Sequence, residues 1–187
     1  LLGLTPVLVD VDPNSFNIDP NAIVRAITPK TKAIVPVHLF GQVADMDAIM
    51  AIAEKHNLYV IEDNAQGIGA THTSSNGNTT KTGGIGHVGS TSFFPSKNLG
   101  WYGDGGAIFT NDDDLAHTLR GIVNHGMYER YHHDVVGVNS RLDSLQAVVL
   151  NEKLKLLDYY NERRKWAAIR DSHLLSGHDN IITPKVI

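Results

Sequence analysis

The sequence predicts an α/β fold in which helices flank a mostly parallel sheet. Strand-like apolar segments alternate with helical segments through the first part of the chain, and this alternation is typical of strand–helix–strand units with parallel strands. One predicted strand is almost continuously apolar, as strands covered on both faces of a parallel sheet are. The 187 residues, of which 42% are hydrophobic and 19% charged, suffice for one substantial globular domain and exclude intrinsic disorder.

The first predicted elements are a strand, a helix and a second strand. Residues 7–11 read VLVDV, a short β-rich segment that a turn signal follows. Asp19 and Pro20 are the residue types of an N-cap and a first helical position, so we expect a helix from there to about residue 27. Residues 32–39 read KAIVPVHL and are nearly all apolar, which predicts a strand buried on both faces of the sheet.

A second helix and a third strand lead to the first cluster of polar residues. Asp45 or Asp47 can cap a helix that ends near Asn57. The apolar residues of this helix share one face: Met46, Ile49, Met50 and Ala53. Residues 58–61 (LYVI) form the next strand, which runs into EDNAQ at residues 62–66. Because ligands of parallel α/β sheets gather at the carboxyl ends of the strands, we expect a binding site there.

The middle of the chain contains a long polar loop and two more strands. Residues 67–89 are rich in Gly, Ser, Thr and Asn, which predicts a loop with a hairpin. Loops of this length in compact domains are usually functional or mobile. Residues 90–94 (STSFF) and 107–110 are predicted strands, and the turn between them contains Lys97 and Trp101.

The last third of the chain is predicted to be mainly helical. Residues 112–123 form a helix with acidic residues in its first turn, where the helix dipole favours them. Residues 124–140 are polar, aromatic and irregular. From residue 142 to about residue 175, apolar residues recur with helical spacing, which predicts a long helix with a bend.

Charge and composition exclude several classes of function. Sixteen basic and twenty acidic residues give a net charge of -4 without any basic stretch, so we expect neither nucleic acid nor a membrane as partner. The absence of cysteine excludes disulfides and thiolate metal sites and is typical of a cytoplasmic protein. Some residues between positions 125 and 134 are metal-ligating types but lack the spacing of two ligands on one helix face, so no metal is predicted: His125, His132, His133 and Asp134.

Asp63 and Lys97 are the residues best suited to chemistry. A lysine in an apolar turn can have its pKa lowered and form a Schiff base with an aldehyde, and a carboxylate can keep a pyridine nitrogen protonated. On spacing alone, a turn-capping Asp63 and a solvated Lys97 stay open as alternatives. His38 is expected to be a hydrogen-bonded core histidine. Residues 84–89 match G-x-G-x-x-G but precede a strand instead of a helix, so a nicotinamide site is rejected.

Several blocks of sequence resemble the sugar aminotransferases of the DegT/DnrJ/EryC1/StrS family. These blocks are PVHLFG at 36–41, IEDNAQ at 61–66, TSFFPSKNLG at 91–100, GDGGA at 103–107 and GVNSRLDSLQA at 137–147. They occur in the family's order and at its spacing, and the resemblance covers most of the chain. It implies the large domain of a fold type I aminotransferase that depends on pyridoxal 5'-phosphate.

The resemblance also implies a role for individual residues. Lys97 corresponds to the family's Schiff-base lysine, which moves protons during catalysis, and Asp63 corresponds to the partner of the pyridinium nitrogen. Gln66 would approach the phenolic oxygen of the cofactor. The hydroxyl of Ser92 would bind its phosphate. Asn139 would reach the phosphate in the neighbouring subunit, so the resemblance implies a homodimer with shared active sites.

The implied reaction is amination of a nucleotide-linked keto-sugar, with an amino acid, usually glutamate in this family, as donor. Residues 1–140 would be part of the large cofactor-binding domain, and residues 141–187 a long helix leading into a smaller domain. Relatives continue beyond both ends, so we expect a fragment that alone has little activity. Two alternatives stay open: a sugar dehydratase, whose branch has histidine at the position of Lys97, and a non-catalytic sensor with the same fold.

Overall fold

The computed structural model describes residues 2–186, and from residue 20 to the end of α3 its helices and strands follow the order that the sequence predicts. The helices are α1 (Pro20–Ala26), α2 (Met46–His56), α3 (Asp113–Val123), α4 (Ser144–Leu154) and α5 (Leu157–Leu175). The strands are β1 (Ala33–Ile34), β2 (Tyr59–Asp63), β3 (Thr71–Thr73), β4 (Thr79–Lys81), β5 (Val88–Ser92), β6 (Gly106–Phe109), β7 (Met127–Glu129) and β8 (His132–His133).

The central sheet confirms the predicted α/β class. Its four strands lie in the order β1, β2, β5, β6. The strands β1, β2 and β5 are parallel, and β6 pairs antiparallel with β5. The register places Asp63 of β2 opposite Ser90 of β5, and Ser92 opposite Gly106 of β6. The sheet is therefore mixed and mostly parallel.

Helices α1 and α2 begin and end where local sequence signals predict. Asp19 accepts a hydrogen bond from the amide of Asn21, and Asp45 caps α2 through the amide of Ala48 at 3.1 Å. Asn57 adopts the left-handed conformation that ends α2 (φ 52°). The two helices and the strands beside them enclose the main hydrophobic core, formed by Ile23, Ile34, Ala44, Met46, Ile49, Ala53, Leu58 and Val60.

Two of the predicted strands are wrong in extent. Residues 7–11 do not form a strand; Val11 makes only an isolated bridge to Ile18, and Leu8 is exposed. In residues 32–39 only β1 and a single bridge from Val37 to Asp63 are regular, because Pro36 between them has no N–H to donate. This segment is also buried on one face only, since Val37 is exposed.

After residue 123 the structure also differs from the prediction in two segments. Residues 124–140 contain the small hairpin β7–β8. The predicted long helix is interrupted at Leu156, which leaves helical geometry (φ −107°, ψ 1°), so the expected bend is a break between α4 and α5. Where these helices meet the sheet, a second apolar cluster forms from Phe93, Leu99, Trp101, Leu150 and Leu157.

The longest helix, α5, is polar and largely exposed. It carries the basic run Arg163, Arg164 and Lys165, and only Leu157 among its nineteen residues is buried. Within residues 2–186, no helix combines the length and the apolar character that crossing a membrane requires. Apart from Leu157, the side chains of α5 therefore lie on the surface of the protein.

Candidate active site

The carboxyl ends of β2 and β5 lie side by side and bring two predicted site residues to one edge of the sheet. Asp63 is the last residue of β2 and Ser92 the last of β5. The strand ends are joined beyond their ladder, because Asn64 donates its amide to Ser90 and accepts a bond from the hydroxyl of Thr91 at 3.0 Å. Chain segments leaving this edge therefore begin from a fixed base.

Asp63 is half-buried and held mainly through its backbone. Its amide donates to the carbonyl of Pro36 at 2.8 Å, and its carbonyl accepts from the amide of His38 at 3.0 Å. One carboxylate oxygen, Oδ1, accepts a bond from the amide of Ala65, as a turn-capping aspartate would. The other oxygen, Oδ2, has no hydrogen-bond partner within residues 2–186. The carboxylate can thus cap its turn and still accept a further donor.

Gln66 is connected to a strained turn between β1 and α2. Its Oε1 accepts a hydrogen bond from the amide of Phe40 at 2.8 Å. Phe40 and Gly41 both have positive φ angles, 59° and 82°, and a phenylalanine adopts such an angle only when its surroundings enforce it. Asn17 supplies part of that enforcement, since its side chain accepts from Leu39 and donates to Gln42.

Lys97 lies in the tight turn that follows β5. The turn is closed by hydrogen bonds from the amide of Lys97 to the carbonyl of Phe94 and from Trp101 to Phe93, both at 2.9 Å. Gly100 is required, because a Cβ there would lie 2.5 Å from the carbonyl oxygen of Pro95. The half-buried Lys97 amine has no hydrogen bond or ion pair within the described part of the chain, so it is available for chemistry.

A cavity of about 350 Å³ opens beside this turn, between it and the helices α4 and α5. Its lining includes four cationic residues and no acidic one: Lys97, Lys153, Arg163 and Arg164. Arg164 also donates to the carbonyl of Ser96 at 3.2 Å, and Lys153 donates to the carbonyl of Gly100. The positive charge favours an anionic ligand next to Lys97.

The two remaining predicted site residues, Ser92 and Asn139, lie in different surroundings. Ser92 accepts a hydrogen bond from the amide of Phe94 at 3.2 Å, which leaves its hydroxyl proton free to donate to a ligand. Asn139 is exposed in the loop before α4, where it accepts a bond from Arg141 at 3.1 Å. Among residues 2–186, no hydrogen bond connects Asn139 with the other predicted site residues.

The structure reveals a buried pair that the sequence reasoning assigned no joint role. His38 and Glu62 are fully buried, and their side chains meet at 2.8 Å between Nε2 and Oε2. Three backbone amides also donate to the Glu62 carboxylate at 2.7 Å, those of Gly83, Ile85 and Gly86. The signal for this pair was an acidic residue at the buried position of an apolar strand, followed by a glycine-rich loop.

The environment of Glu62 explains its ionisation and the role of the glycine loop. Burial raises the pKa of Glu62, but the hydrogen bonds from His38 and the three amides together hold the pKa below its usual range. The start of the G-x-G-x-x-G segment thus binds a carboxylate of the same chain, through the amides of Ile85 and Gly86. Gly86 is required there, because a Cβ would lie 2.9 Å from the carbonyl oxygen of Val60.

The residues at this edge fit the groups of pyridoxal phosphate. Among the described residues, one Asp63 carboxylate oxygen is without a partner and can accept a protonated ring nitrogen, and the Lys97 amine is without a partner and can meet an aldehyde. Ser92 offers a hydroxyl donor for a phosphate. The three side chains thus supply a partner for the ring nitrogen, the aldehyde and the phosphate of that cofactor.

The mostly parallel sheet with its flanking helices is shared with solved structures of fold type I aminotransferases, so the chain has the fold of that class. The chain belongs to the DegT/DnrJ/EryC1/StrS aminotransferase family, whose model matches residues 1–186. The family resemblance of the sequence blocks is thereby confirmed.

Similar proteins include enzymes and a regulator. UDP-2-acetamido-2-deoxy-3-oxo-D-glucuronate aminotransferase from Pseudomonas aeruginosa is 56% identical over 158 residues, 84% of this chain and 43% of that protein. A pleiotropic regulatory protein from Geobacillus stearothermophilus is 51% identical over 187 residues, 99% of this chain and 49% of that protein. The crystal structure of NtdA from Bacillus subtilis with bound cofactor PMP has a TM-score of 0.78 at 35% identity and covers 94% of this chain and 39% of its own. The chain spans about half the length of the curated relatives it matches.

Proposed function

We propose that this chain forms the cofactor-binding part of an aminotransferase that converts a nucleotide-linked keto-sugar into an amino sugar, with glutamate as amino donor. The observation that carries the proposal is the unpaired Lys97 amine in a turn next to the strand end that presents Asp63. The similar aminotransferase from Pseudomonas aeruginosa is named for a UDP-linked keto-sugar. The cationic cavity beside Lys97 suits the diphosphate of such a substrate.

Each site residue has one proposed task. Pyridoxal phosphate, when bound, supplies an electron sink for the carbon that gains or loses the amino group. The Lys97 Nζ would hold the cofactor covalently through its aldehyde and, once an amino substrate had displaced it, would take up and return a proton at the reacting carbon. The Asp63 carboxylate keeps the ring nitrogen protonated. Gln66 donates toward the phenolic oxygen, and Ser92 donates to the phosphate.

The proposal also includes a homodimer and two domains in each subunit. Asn139 is exposed, and the hydrogen bond that its side chain accepts comes from Arg141 in the same loop, which suits a residue that reaches a phosphate in a second subunit of a homodimer. Residues 1–140 would form the large domain, and residues 141–187 the connection to a smaller domain. The absence of cysteine is in keeping with a cytoplasmic location.

Covalent trapping tests the proposal directly. The whole protein is mixed with pyridoxal phosphate and reduced with borohydride, and the modified peptide is identified by mass spectrometry. We expect one adduct, on Lys97, and we expect Lys97→Arg to lose both the adduct and at least about a thousandfold in amino transfer. Lys30→Arg, at an exposed lysine, is the matched control and keeps both.

A regulatory binding protein is the second candidate, because one relative bears a regulatory name. The trapping experiment distinguishes a regulatory binding protein from an aminotransferase by the lysines that are labelled. Labelling spread over surface lysines, together with binding of a nucleotide sugar but no amino transfer, would refute the aminotransferase and favour the regulator. A dehydratase would instead retain cofactor binding without a covalent lysine adduct.

A further inference from the structure

His38 and Glu62 lie directly behind the strand end that presents Asp63. The amide of Ala44 donates to His38 Nδ1 at 3.2 Å, so the ring proton resides on Nε2 and is donated to the Glu62 carboxylate. Burial alternates along β2, with Glu62 fully buried and Asp63 half-buried. Side chains alternate across a strand, so the two carboxylates point to opposite faces.

The backbone of His38 is what holds Asp63. Its amide donates to the Asp63 carbonyl at 3.0 Å, and the amide of Asp63 donates to Pro36, two residues before His38. The backbone of Asp63 is therefore clamped by the segment that carries the histidine ring. Because Glu62 anchors that ring, a displacement of the ring would move the base of Asp63.

The same pair fixes the backbone that carries Gln66. Gly67, the next residue, packs so closely on His38 that a Cβ would lie 2.7 Å from the histidine Cβ. On the other side, Glu62 binds the amides of the loop that begins at Gly83, and Thr82 just before it donates to the carbonyl of Gly67 at 2.7 Å. One buried hydrogen-bonded pair thus links both segments behind the predicted cofactor contacts.

We propose that His38 and Glu62 are positioning residues that set the direction of the Asp63 carboxylate and the Gln66 amide toward the cofactor. The inference rests on the proposed function, since it concerns residues assigned there to pyridoxal phosphate. The link that matters is the bond from Nε2 to the carboxylate. The bond at Nδ1 fixes only the tautomer.

Three substitutions in the whole protein separate this role from general stability. His38→Asn keeps an acceptor near the position of Nδ1 but loses the donor to Glu62, whereas His38→Gln keeps a donor near the position of Nε2. Glu62→Gln removes the charge. Ile49→Val, at a fully buried position of the hydrophobic core, is the matched control. For each protein, the dissociation constant for pyridoxal phosphate and the visible circular dichroism of the bound cofactor are measured.

We expect His38→Asn and Glu62→Gln to weaken cofactor binding about tenfold and to change the circular dichroism band, because a charge-assisted contact loses its alignment. His38→Gln and Ile49→Val should stay within about twofold of the unaltered protein and keep its band. If Glu62→Gln does not fold, the asparagine and glutamine variants of His38 still decide the question. Nitrogen chemical shifts of the His38 ring in the unaltered protein check the Nε2–H tautomer independently.

Several results would overturn the inference alone: unchanged binding in His38→Asn, equal weakening in His38→Gln, equal weakening in Ile49→Val, or a proton on Nδ1. All of them presuppose a borohydride adduct on Lys97 in the unaltered protein. If that adduct is absent, the proposed function itself is refuted, and the positioning role falls with it. Failure of the positioning role is therefore distinguishable from failure of the aminotransferase.

Discussion

The two sides of the candidate site are built by different means. Asp63 is held by backbone bonds to its neighbouring segment and by the fully buried, hydrogen-bonded pair of His38 and Glu62 behind it. The turn of Lys97 packs on the smaller apolar cluster, through Phe93 and Leu99, and is also held by polar side chains of the helices that follow. Asn161 of α5 bonds to Asn98 at 2.6 Å and to the carbonyl of Ile68 at 3.0 Å, and Arg164 bonds to Ser96.

The difference lies in how much of each support is buried. Met46 of α2 and Val60 of the strand that ends at Asp63 are fully buried. In α5, by contrast, Leu157 is buried against the lysine turn, but Trp166 and Leu174 are 63% and 60% exposed. A support that is buried along its length has few alternative arrangements, while a mostly exposed helix anchored at its start and by a few polar bonds can shift at less cost. The Asp63 side is therefore the fixed part of the site, and the Lys97 side is the adjustable one.

The largest expected effect is a contrast in stability between the two sides. Ile49→Ala empties a fully buried position and should lower the free energy of unfolding by about 2–5 kcal/mol. Ile169→Ala makes the same chemical change on α5, where the side chain is 47% exposed, and should cost less than about 0.5 kcal/mol. Urea unfolding of both variants measures the two values. Equal losses would contradict the contrast.

The sequence predicted best those features that depend on neighbouring residues. Asp19 and Asp45 cap their helices as expected, because capping is decided within three residues of the chain. The existence of the strands that carry Asp63 and Ser92 follows from hydrophobic runs and strand–helix alternation, although their ends differ by two residues from the predicted 58–61 and 90–94. The family blocks pointed to Lys97, which geometry alone would have left among the ordinary lysines.

Features that depend on distant partners escaped the sequence. Residues 7–11 have strand propensity, yet propensity does not supply the neighbouring strand that a ladder requires. Glu62 becomes a buried anion only because His38 and the loop of Gly83 reach it from segments more than twenty residues away. No local pattern specifies which carboxylate a glycine loop will wrap.

An intermediate effect is expected at the contact between α5 and the lysine turn. Asn161→Ala removes two side-chain hydrogen bonds and should lower the free energy of unfolding by about 1–2 kcal/mol. Asn151→Ala, on the exposed surface of α4, is the control and should change it by less than about 0.5 kcal/mol. In the whole protein, Asn161→Ala should also raise the amide exchange rates of residues 96–98 while those near Asp63 stay constant. Faster amide exchange on both sides would contradict the independence of the Asp63 side and the Lys97 side.

The smallest expected effect is a loss of local stability at low pH that is confined to the Asp63 side of the site. The carboxyl groups with lowered pKa values, among the described residues, all belong to the segment before residue 63: Asp12, Asp47 and Glu62. The pKa of Asp47 is lowered by hydrogen bonds from His72 at 2.9 Å and from the amide of Ser75, which tie the hairpin β3–β4 to α2. A lowered pKa means that the folded hairpin prefers the ionised carboxylate.

The stabilisation from Asp47 is therefore complete above the pH at which an unfolded aspartate titrates, about 4, and is lost as the pH falls through the lowered pKa of the folded state. We expect the amides of the β3–β4 hairpin to exchange faster, relative to the intrinsic rate, as the pH drops through this window. Asp47→Asn should remove the step. Asp113→Asn, at another exposed acidic position, should leave it in place. The amides of α5 should show no such step, and an equal step in α5 would mean that acid loosens both sides of the site together.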